Sequence, residues 1–268
     1  MRIGNYDFDL EHKTYVMGIL NVTPDSFSDG GKFDSVDVAL KHTEEMIRDG
    51  ASVIDIGGES TRPGFKPVSA EEELQRVIPV IERIRKEFDI PISVDTTKSE
   101  VAEAALNAGC EIINDINGLK GDPGVALQIA KYNAFGVLMH NKDNTDYTDL
   151  IPDIKKDLLK TCEIAANAGI PKDKIILDPG VGFGKTREQN LQVINRLEEF
   201  KTLGYPVLLG TSRKSVIGLT LDLPAEERLE GTLATTVFAV MKGAAFVRVH
   251  DVKENIRTIR MTEAILQK

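Results

Sequence analysis

The segment YVMGILNVTPDSFSDGG, residues 15–31, changes within two residues from an apolar run to a polar loop that ends in two glycines. The apolar run is typical of a parallel strand that is buried on both faces. The loop places Phe27 among serine and aspartate side chains, so it cannot pack as core. A buried strand followed by such a loop predicts the first part of a β–α unit, with a polar site where the strand ends.

The same pattern recurs and gives eight apolar runs with helical patterns between them. The runs occupy residues 15–22, 52–58, 92–97, 112–118, 136–141, 175–180, 206–212 and 246–251. Eight β–α units in 268 residues predict an α/β fold, a (β/α)8 TIM barrel that forms one domain over residues 1–268. An open, doubly wound sheet is the alternative, and the count of eight disfavours it. Residues 1–14 are expected to form a short N-terminal hairpin that plugs the N-terminal end of the barrel.

Three capping-box sequences occur between the predicted strands and helices, and each predicts where a helix begins. They are Ser69 with Glu72, Thr97 with Glu100, and Thr186 with Gln189. In each pair the first side chain is expected to accept a backbone N–H of the first helical turn.

Composition limits the class of protein. The net charge of -9 argues against a surface that coats nucleic acid. Cys110 and Cys162 are far apart and predict small core residues in a reducing compartment. The N-terminus lacks the apolar run of a signal peptide, and no apolar stretch is long enough to span a membrane. A cytoplasmic protein without a membrane partner is expected.

Polar or ionisable residues stand at the end of every predicted strand, where barrel enzymes have their active sites. They include Asn21, Asp55, Asp95, Asn114, Asp115, His140, Asn141, Asp178, Lys214, Arg248, His250 and Asp251. Burying one such group unpaired costs about 1–3 kcal/mol, and more if it is charged. Asp115 and Asp251 could each be a helix N-cap instead. The set as a whole predicts a ligand site at one rim of the barrel.

The residue types indicate the ligand. Asp95, Asn114 and Asp178 offer hydrogen bonds, and a carboxylate that accepts two adjacent N–H donors suits a 2-amino-4-oxo-pyrimidine edge. Cationic donors from the last two strands suit phosphate. We therefore expect a flat heterocycle with a phosphorylated arm.

Asn21 is a neutral oxygen ligand that suits Mg²⁺ held mainly by substrate phosphates and water. The four histidines show no zinc-binding spacing.

The segment PGVGFGKT, residues 179–186, looks like a phosphate-binding loop but does not match one. Pro179 stands where the first glycine belongs, and Lys185 breaks the alternative dinucleotide pattern. We expect its glycines to let the backbone approach a ligand closely beneath Asp178.

Seven motifs occur in order at these strand ends: MGILNVTPDSFSDGG, DIGGESTRPG, SVDTTK, INDING, LDPGVGFGKT, GTSRKS and RVHD. With them the chain closely resembles the dihydropteroate synthase family, the sulfonamide targets of folate biosynthesis, over essentially its whole length. The resemblance implies a transferase that joins 6-hydroxymethyl-7,8-dihydropterin diphosphate to p-aminobenzoate and releases diphosphate, with Mg²⁺ assisting. Family members are typically homodimers through helices on the barrel exterior.

The resemblance also implies roles for individual residues. Asp95, Lys214, Arg248 and His250 would be catalytic, and Asn21 would ligate the metal. The pterin would be bound by Asp95, Asn114, Ile116, Met139, Asp178, Gly182, Lys214 and Arg248. The aminobenzoate would contact Phe183 and Ser215, together with Phe27, Ser28, Asp29, Thr61, Arg62 and Pro63 of two loops that close over the substrates in the family.

One segment departs from the family pattern. After Met139 and His140, many members continue with a methionine, an arginine and a glycine–proline turn, whereas this chain has NKDNTDYTDL. The diphosphate side or the solvent edge of the pterin pocket is therefore expected to differ.

Two rival functions remain at this point. A methyltetrahydrofolate-binding methyltransferase would share the barrel and the pterin contacts, but would not need SRKS, RVHD or the TPDSFSDGG loop. A catalytically silent barrel would have lost Asn21, Lys214 or Arg248, and all three are present.

Overall fold

A computed structural model of the chain describes residues 1–23, 32–59 and 68–267, without the side chains of residues 32–35. The described residues form ten strands and nine α-helices. The strands are β1 (Arg2–Ile3), β2 (Tyr6–Asp7), β3 (Tyr15–Asn21), β4 (Val53–Gly57), β5 (Ile92–Asp95), β6 (Ile112–Asp115), β7 (Phe135–Met139), β8 (Ile175–Asp178), β9 (Leu208–Leu209) and β10 (Phe246–Val249). The helices are α1 (Lys32–Asp49), α2 (Ala70–Glu87), α3 (Ser99–Asn107), α4 (Pro123–Lys131), α5 (Leu150–Ala168), α6 (Arg187–Asn195), α7 (Ser215–Leu221), α8 (Leu229–Met241) and α9 (Val252–Leu266).

Strands β3 to β10 form one parallel sheet with helices between them, in the order β8-β7-β6-β5-β4-β3-β10-β9. A further parallel bridge between Leu177 and Val207 brings the two edges of this sheet together. The sheet is thus a nearly closed barrel, and the predicted (β/α)8 fold is confirmed. Its carboxyl ends meet at one rim, where the site is expected.

The N-terminal hairpin is also confirmed. Strands β1 and β2 pair antiparallel, with Ile3 opposite Tyr6. Ile3 and Phe8 are buried in one apolar cluster with residues from the barrel strands, among them Phe246. The ring of Phe8 packs edge-to-face on Tyr15 at 4.8 Å between centroids. This cluster fills the amino end of the barrel and leaves the opposite rim for a ligand.

Two of the three predicted capping boxes start helices. Ser69 accepts the N–H of Glu72 at the start of α2, and Thr186 forms a complete capping box at the start of α6. The prediction for Thr97 is wrong, because α3 begins after Lys98 without a local side-chain cap. The Asp122 carboxylate, from a different loop, accepts the Ser99 N–H at 2.8 Å and takes over that role.

Within the described residues, no helix combines the length and the apolar character needed to cross a membrane.

Candidate active site

The register of the strands places three predicted site residues, with Gly57 between two of them, in one row across the barrel rim. Asn21 pairs with Gly57, Gly57 with Asp95, and Asp95 with Asn114. A Cβ atom added at Gly57 would lie 3.6 Å from Asn21 Oδ1 and 3.9 Å from Asp95 Cβ, so the glycine leaves open space between these two side chains. The predicted metal ligand and the predicted pterin ligands are therefore neighbours.

Arg248 lies on β10, on the opposite side of β3 from β4, and its side chain reaches the residues of this row. Its Nε donates to Asp55 Oδ2 at 2.6 Å, and its Nη2 donates to Asp95 Oδ2 at 2.8 Å. Asn114 Nδ2 also donates to Asp55 Oδ2, at 3.2 Å. Because β10 and β4 are separated by β3, the guanidinium crosses the barrel interior. Two carboxylates hold its plane in one orientation.

Burial controls the charges of this cluster. Desolvation raises the pKa of Asp95 to about 7, although the positive charge of Arg248 opposes the shift. Burial disfavours the Arg248 charge as well, but Asp55 and Asp95 outweigh it and raise the pKa of the guanidinium. Among the residues that the structure describes, Asp55 Oδ1 and Asp95 Oδ1 are buried without a hydrogen-bond partner. Such acceptors favour a bound ligand that supplies N–H donors.

Asp178, at the end of β8, and Lys214, in the loop after β9, form a second pair of opposite charges. A Cβ atom at Gly210 would lie 3.7 Å from both Asp178 Oδ2 and Lys214 Nζ. Lys214 donates to the Val181 carbonyl at 2.7 Å, and its ammonium lies 4.8 Å from the centroid of the Phe183 ring. Burial lowers the pKa of Lys214 to about 8, against the effect of Asp178. Burial likewise raises the pKa of Asp178, against Lys214.

Apolar residues and small residues complete this side of the rim. Met139 is buried at the end of β7, next to Asp178 in register, and Ile116 is half-buried just after β6. Gly182 has a φ of +89°, and a Cβ there would lie 3.0 Å from Lys214 Cδ. Ser215 is exposed at the first position of α7. The structure thus brings the predicted pterin residues and Phe183 to one face.

Asn21 and His250 line a cavity of about 450 Å³ beside α1. His250 Nδ1 lies 2.9 Å from Ser212 Oγ, which also accepts the His250 backbone N–H at 3.2 Å. The same cavity is lined by Lys41 and His42, two basic side chains that the sequence patterns do not single out. Asn21, the predicted metal ligand, and His250, one of the predicted phosphate ligands, therefore line one space.

Two strand-end aspartates have structural contacts. Asp115 accepts the backbone N–H groups of Asn117 and Leu119, at 2.8 and 2.7 Å, and so closes the turn after β6. Asp251 pairs with Arg213, whose Nε donates to it at 3.0 Å. Arg213 has a φ of +57°, so this pair holds a left-handed turn in place. Neither caps a helix with its side chain in the way considered from the sequence.

Four N–H groups of the segment 179–186 are bonded to protein acceptors: Gly180 to Asp178, Gly182 to Asn190, Phe183 to Gly180, and Thr186 to Gln189. These four groups are therefore not directed at a phosphate. The expectation that its glycines face a ligand is wrong for two of them. A Cβ at Gly180 or Gly184 would overlap the backbone carbonyl of His140 or Lys142, so the close approach is to the neighbouring loop.

The sequence patterns gave no role to two charged residues of this site. Asp55, which they placed at a strand end, is fully buried and is the main partner of Arg248. Lys185 donates to the carbonyls of Gly180 and Phe183 at 2.8 and 3.0 Å. Burial lowers the pKa of Lys185 to about 7, against the effect of Asp178.

Six of the predicted aminobenzoate residues fall outside the described ranges. They are Phe27, Ser28, Asp29, Thr61, Arg62 and Pro63.

The fold and this site define the class of the protein. Residues 17–250 match the family model described as pterin binding enzyme. A buried, charged site at the carboxyl rim of a parallel barrel is what such an enzyme requires.

Similarity to known proteins is high along the whole length. The chain is 59% identical to a dihydropteroate synthase of Clostridium beijerinckii over 269 residues, which covers 100% of both proteins. It is 59% identical to a dihydropteroate synthase of Bacillus subtilis, over 96% of this chain and 90% of that one. The chain belongs to the dihydropteroate synthase family and is an enzyme of the transferase class.

Solved structures agree with this assignment. A Clostridium difficile dihydropteroate synthase, determined in the presence of pteroic acid, superposes with a TM-score of 0.95 at 54% identity, over 98% of this chain and 100% of that one. A Yersinia pestis dihydropteroate synthase in complex with a sulfonamide drug gives 0.92 at 43% identity, over 100% and 98% of the two chains.

Proposed function

We propose that the chain condenses 6-hydroxymethyl-7,8-dihydropterin diphosphate with p-aminobenzoate, to give 7,8-dihydropteroate and diphosphate in folate biosynthesis. The observation that carries most weight is the buried Asp95 Oδ1, which has no partner among the described residues and lies beside Asn114 and Arg248. A pterin edge presents the N–H donors that this acceptor requires.

The pterin would lie between the two charged pairs. Asp95, Asn114 and Asp178 accept from or donate to its ring edge, and Lys214 donates to it from the Asp178 side. The guanidinium of Arg248 is fixed in its plane by Asp55 and Asp95, so one face is available to stack on the ring. Ile116, Met139 and Gly182 would line the remaining surface.

The diphosphate would extend towards Arg248, His250 and Asn21. As its bond to the pterin methylene breaks, Arg248 and His250 stabilise the negative charge that develops on it. The dihydropterin ring stabilises the cationic methylene, and Asp95 and Asp178 offset that charge. The aryl amine then attacks the methylene and forms the C–N bond, and the proton that the nitrogen loses passes to the released diphosphate or to water, so no strong general base is required.

Mg²⁺ fits this arrangement as a cofactor. Within the described part of the chain, no group of three histidine, cysteine or acidic side chains could hold a metal ion by itself. Asn21 supplies one neutral oxygen next to the cavity that His250 lines, which suits an ion held mostly by substrate phosphates and water. When bound, it would supply positive charge to the leaving diphosphate.

The aminobenzoate would bind where Phe183, Lys214 and Ser215 meet. The Phe183 ring lies under the Lys214 ammonium, and Ser215 is exposed at the start of α7, where a carboxylate can be bound. Residues of the two loops named from the sequence would complete this site.

An assay that omits one component at a time tests the proposed function. Purified protein receives the pterin diphosphate, p-aminobenzoate and Mg²⁺, and dihydropteroate and diphosphate are both measured. We expect product only when all three are present, and none with EDTA. Pterin binding without product would instead support the methyltransferase or the silent barrel.

Pterin binding is expected to depend on pH with a maximum between about pH 7 and 8. Asp95 loses its charge as pH falls through its pKa of about 7, and Lys214 loses its charge as pH rises through about 8. Calorimetry with 6-hydroxymethyl-7,8-dihydropterin measures the dissociation constant, which should rise up to about tenfold per pH unit outside this window. Lys214→Met should weaken binding at every pH, because a donor to the pterin is lost, and should also remove the alkaline limb. A flat profile in the wild type would contradict these assignments.

We further propose that the chain forms a homodimer through α8 and α9. Four large apolar side chains are exposed on these two neighbouring helices: Phe238 at 43%, Met241 at 56%, Met261 at 63% and Ile265 at 67%. Large apolar side chains exposed on packed helices favour a protein interface there. The cytoplasm is the proposed compartment, in keeping with the buried, free Cys110 and Cys162.

Light scattering tests the dimer. The wild type should have about twice the chain mass of 29.5 kDa, and Met261→Glu should halve the measured mass, because a charge in the interface is unpaired. Leu127→Glu, at an equally exposed leucine on α4 (60%), should leave the mass unchanged. A monomeric wild type would exclude this interface.

A further inference from the structure

The loop after β7, residues 140–149, is bonded to the segment 179–186 by a tyrosine. Tyr147 Oη donates to the Gly184 carbonyl at 2.9 Å, and His140 Nε2 lies 3.0 Å from the same hydroxyl. The ammonium of Lys142 lies 4.5 Å from the centroid of the Tyr147 ring. This is the loop in which the chain departs from the family pattern noted above.

The tyrosine is itself held from inside the fold. His140 is buried, and its Nδ1 lies 2.6 Å from Asp157 Oδ2 on α5. Burial opposes the charge of Asp157, but hydrogen bonds from His140 and Lys120 outweigh it and lower the pKa of Asp157 to about 2. The carboxylate is therefore ionised and holds the imidazole through Nδ1, which places Nε2 beside the Tyr147 hydroxyl.

A second bond ties the loop to the first turn of α6, which directly follows the segment 179–186. Gln189 Nε2 donates to the Thr145 carbonyl at 2.9 Å. A Cβ at Gly184 would overlap the Lys142 carbonyl, so the two backbones are in contact at this point. The loop therefore limits where Gly184 can move.

Gly184 lies between two residues of the site. Phe183 places its ring under Lys214, and Lys185 bonds the carbonyls of Gly180 and Phe183. A displacement of the Gly184 carbonyl would shift both. The Asp178 side chain is bonded separately, to the Gly180 N–H, so the pterin contact there does not depend on Tyr147.

We propose that Tyr147 is a positioning residue, which fixes Gly184 so that Phe183 presents its ring to the aminobenzoate. This inference rests on the proposed function for the identity of that substrate. Tyr147 acts through the Gly184 carbonyl and is not placed against the reacting atoms. The chain thus uses a hydrogen-bonded tyrosine in a loop that has no glycine–proline turn.

Tyr147→Phe tests the proposal because it removes only the hydroxyl. Losing one hydrogen bond should raise the KM for p-aminobenzoate about fivefold, while the dissociation constant of the dihydropterin changes by less than about twofold. Amide hydrogen exchange at Gly182 and Phe183 should become faster. Tyr132→Phe is the matched control, since the Tyr132 hydroxyl bonds Asn107 at 2.7 Å at the end of α4. It should change none of these quantities.

The outcomes separate this proposal from the proposed function. Unchanged exchange in Tyr147→Phe overturns the positioning role, and so does faster exchange with an unchanged KM. An equal weakening of pterin and aminobenzoate binding also overturns it, since that indicates a general loss of structure. If the wild type makes no dihydropteroate, the proposed function fails, and the exchange rates still decide whether Tyr147 holds Gly184.

Discussion

Arg248→Met is expected to lower the free energy of unfolding by about 3–5 kcal/mol and to abolish dihydropteroate synthesis. The substitution leaves Asp55, which is fully buried, and Asp95, at 7% exposure, without the cation that both contact. Two uncompensated carboxylates in one interior also repel each other. Urea unfolding of the two proteins measures the difference.

Two further variants test whether the loss of stability comes from the buried ion pairs of Arg248. Arg248→Met combined with Asp55→Asn should recover part of the lost stability, because one of the two unpaired charges is then removed. Arg83→Met breaks an exposed pair with Glu87, and should cost less than about 0.5 kcal/mol. An Arg248→Met protein as stable as the wild type would show that the cluster is not held by this ion pair.

Asp178→Asn is expected to weaken dihydropterin binding at least about 100-fold while the fold is retained. A carboxylate can accept two adjacent N–H donors, whereas an amide turns one N–H group towards them. The site also loses the negative charge that Lys214 faces. Calorimetry with the dihydropterin gives the dissociation constant, and thermal unfolding shows whether the fold is intact.

Asp89→Asn is the control for that substitution. Asp89 is exposed and bonds Asn5 at 3.1 Å in the N-terminal hairpin, at the other end of the barrel. It should leave pterin affinity unchanged. If Asp178→Asn binds the dihydropterin as tightly as the wild type, Asp178 is not a pterin ligand.

The fold could be predicted from the sequence because the patterns that indicate each strand and helix are local in the chain. Each buried strand is a short apolar run, and each run is followed by a polar loop and a helical pattern. The start of α3 could not be predicted in this way. The group that caps it, Asp122, lies 23 residues away from Ser99 in the chain. Local pattern reasoning assigns a cap to the nearest candidate, here Thr97, and cannot detect such a partner.

The site was predictable to the extent that strand ends converge on one rim. The order of the strands alone was enough to assign five residues to the site: Asp95, Asn114, Asp178, Lys214 and Arg248. The pairing of Arg248 with Asp55 depends on which side chains meet across the barrel. The contact of Tyr147 with Gly184 depends on how two loops pack. No sequence motif in either loop indicates that it contacts the other loop.

The most direct test of the account is the stoichiometry of the reaction catalysed by the purified wild-type protein. Dihydropteroate and diphosphate are followed over time with both substrates and Mg²⁺ present. We predict that they appear one to one, and that no dihydropteroate appears when p-aminobenzoate is omitted. Dihydropteroate formed without an equal amount of diphosphate, or a dihydropterin complex that never gives dihydropteroate, would contradict the proposed function.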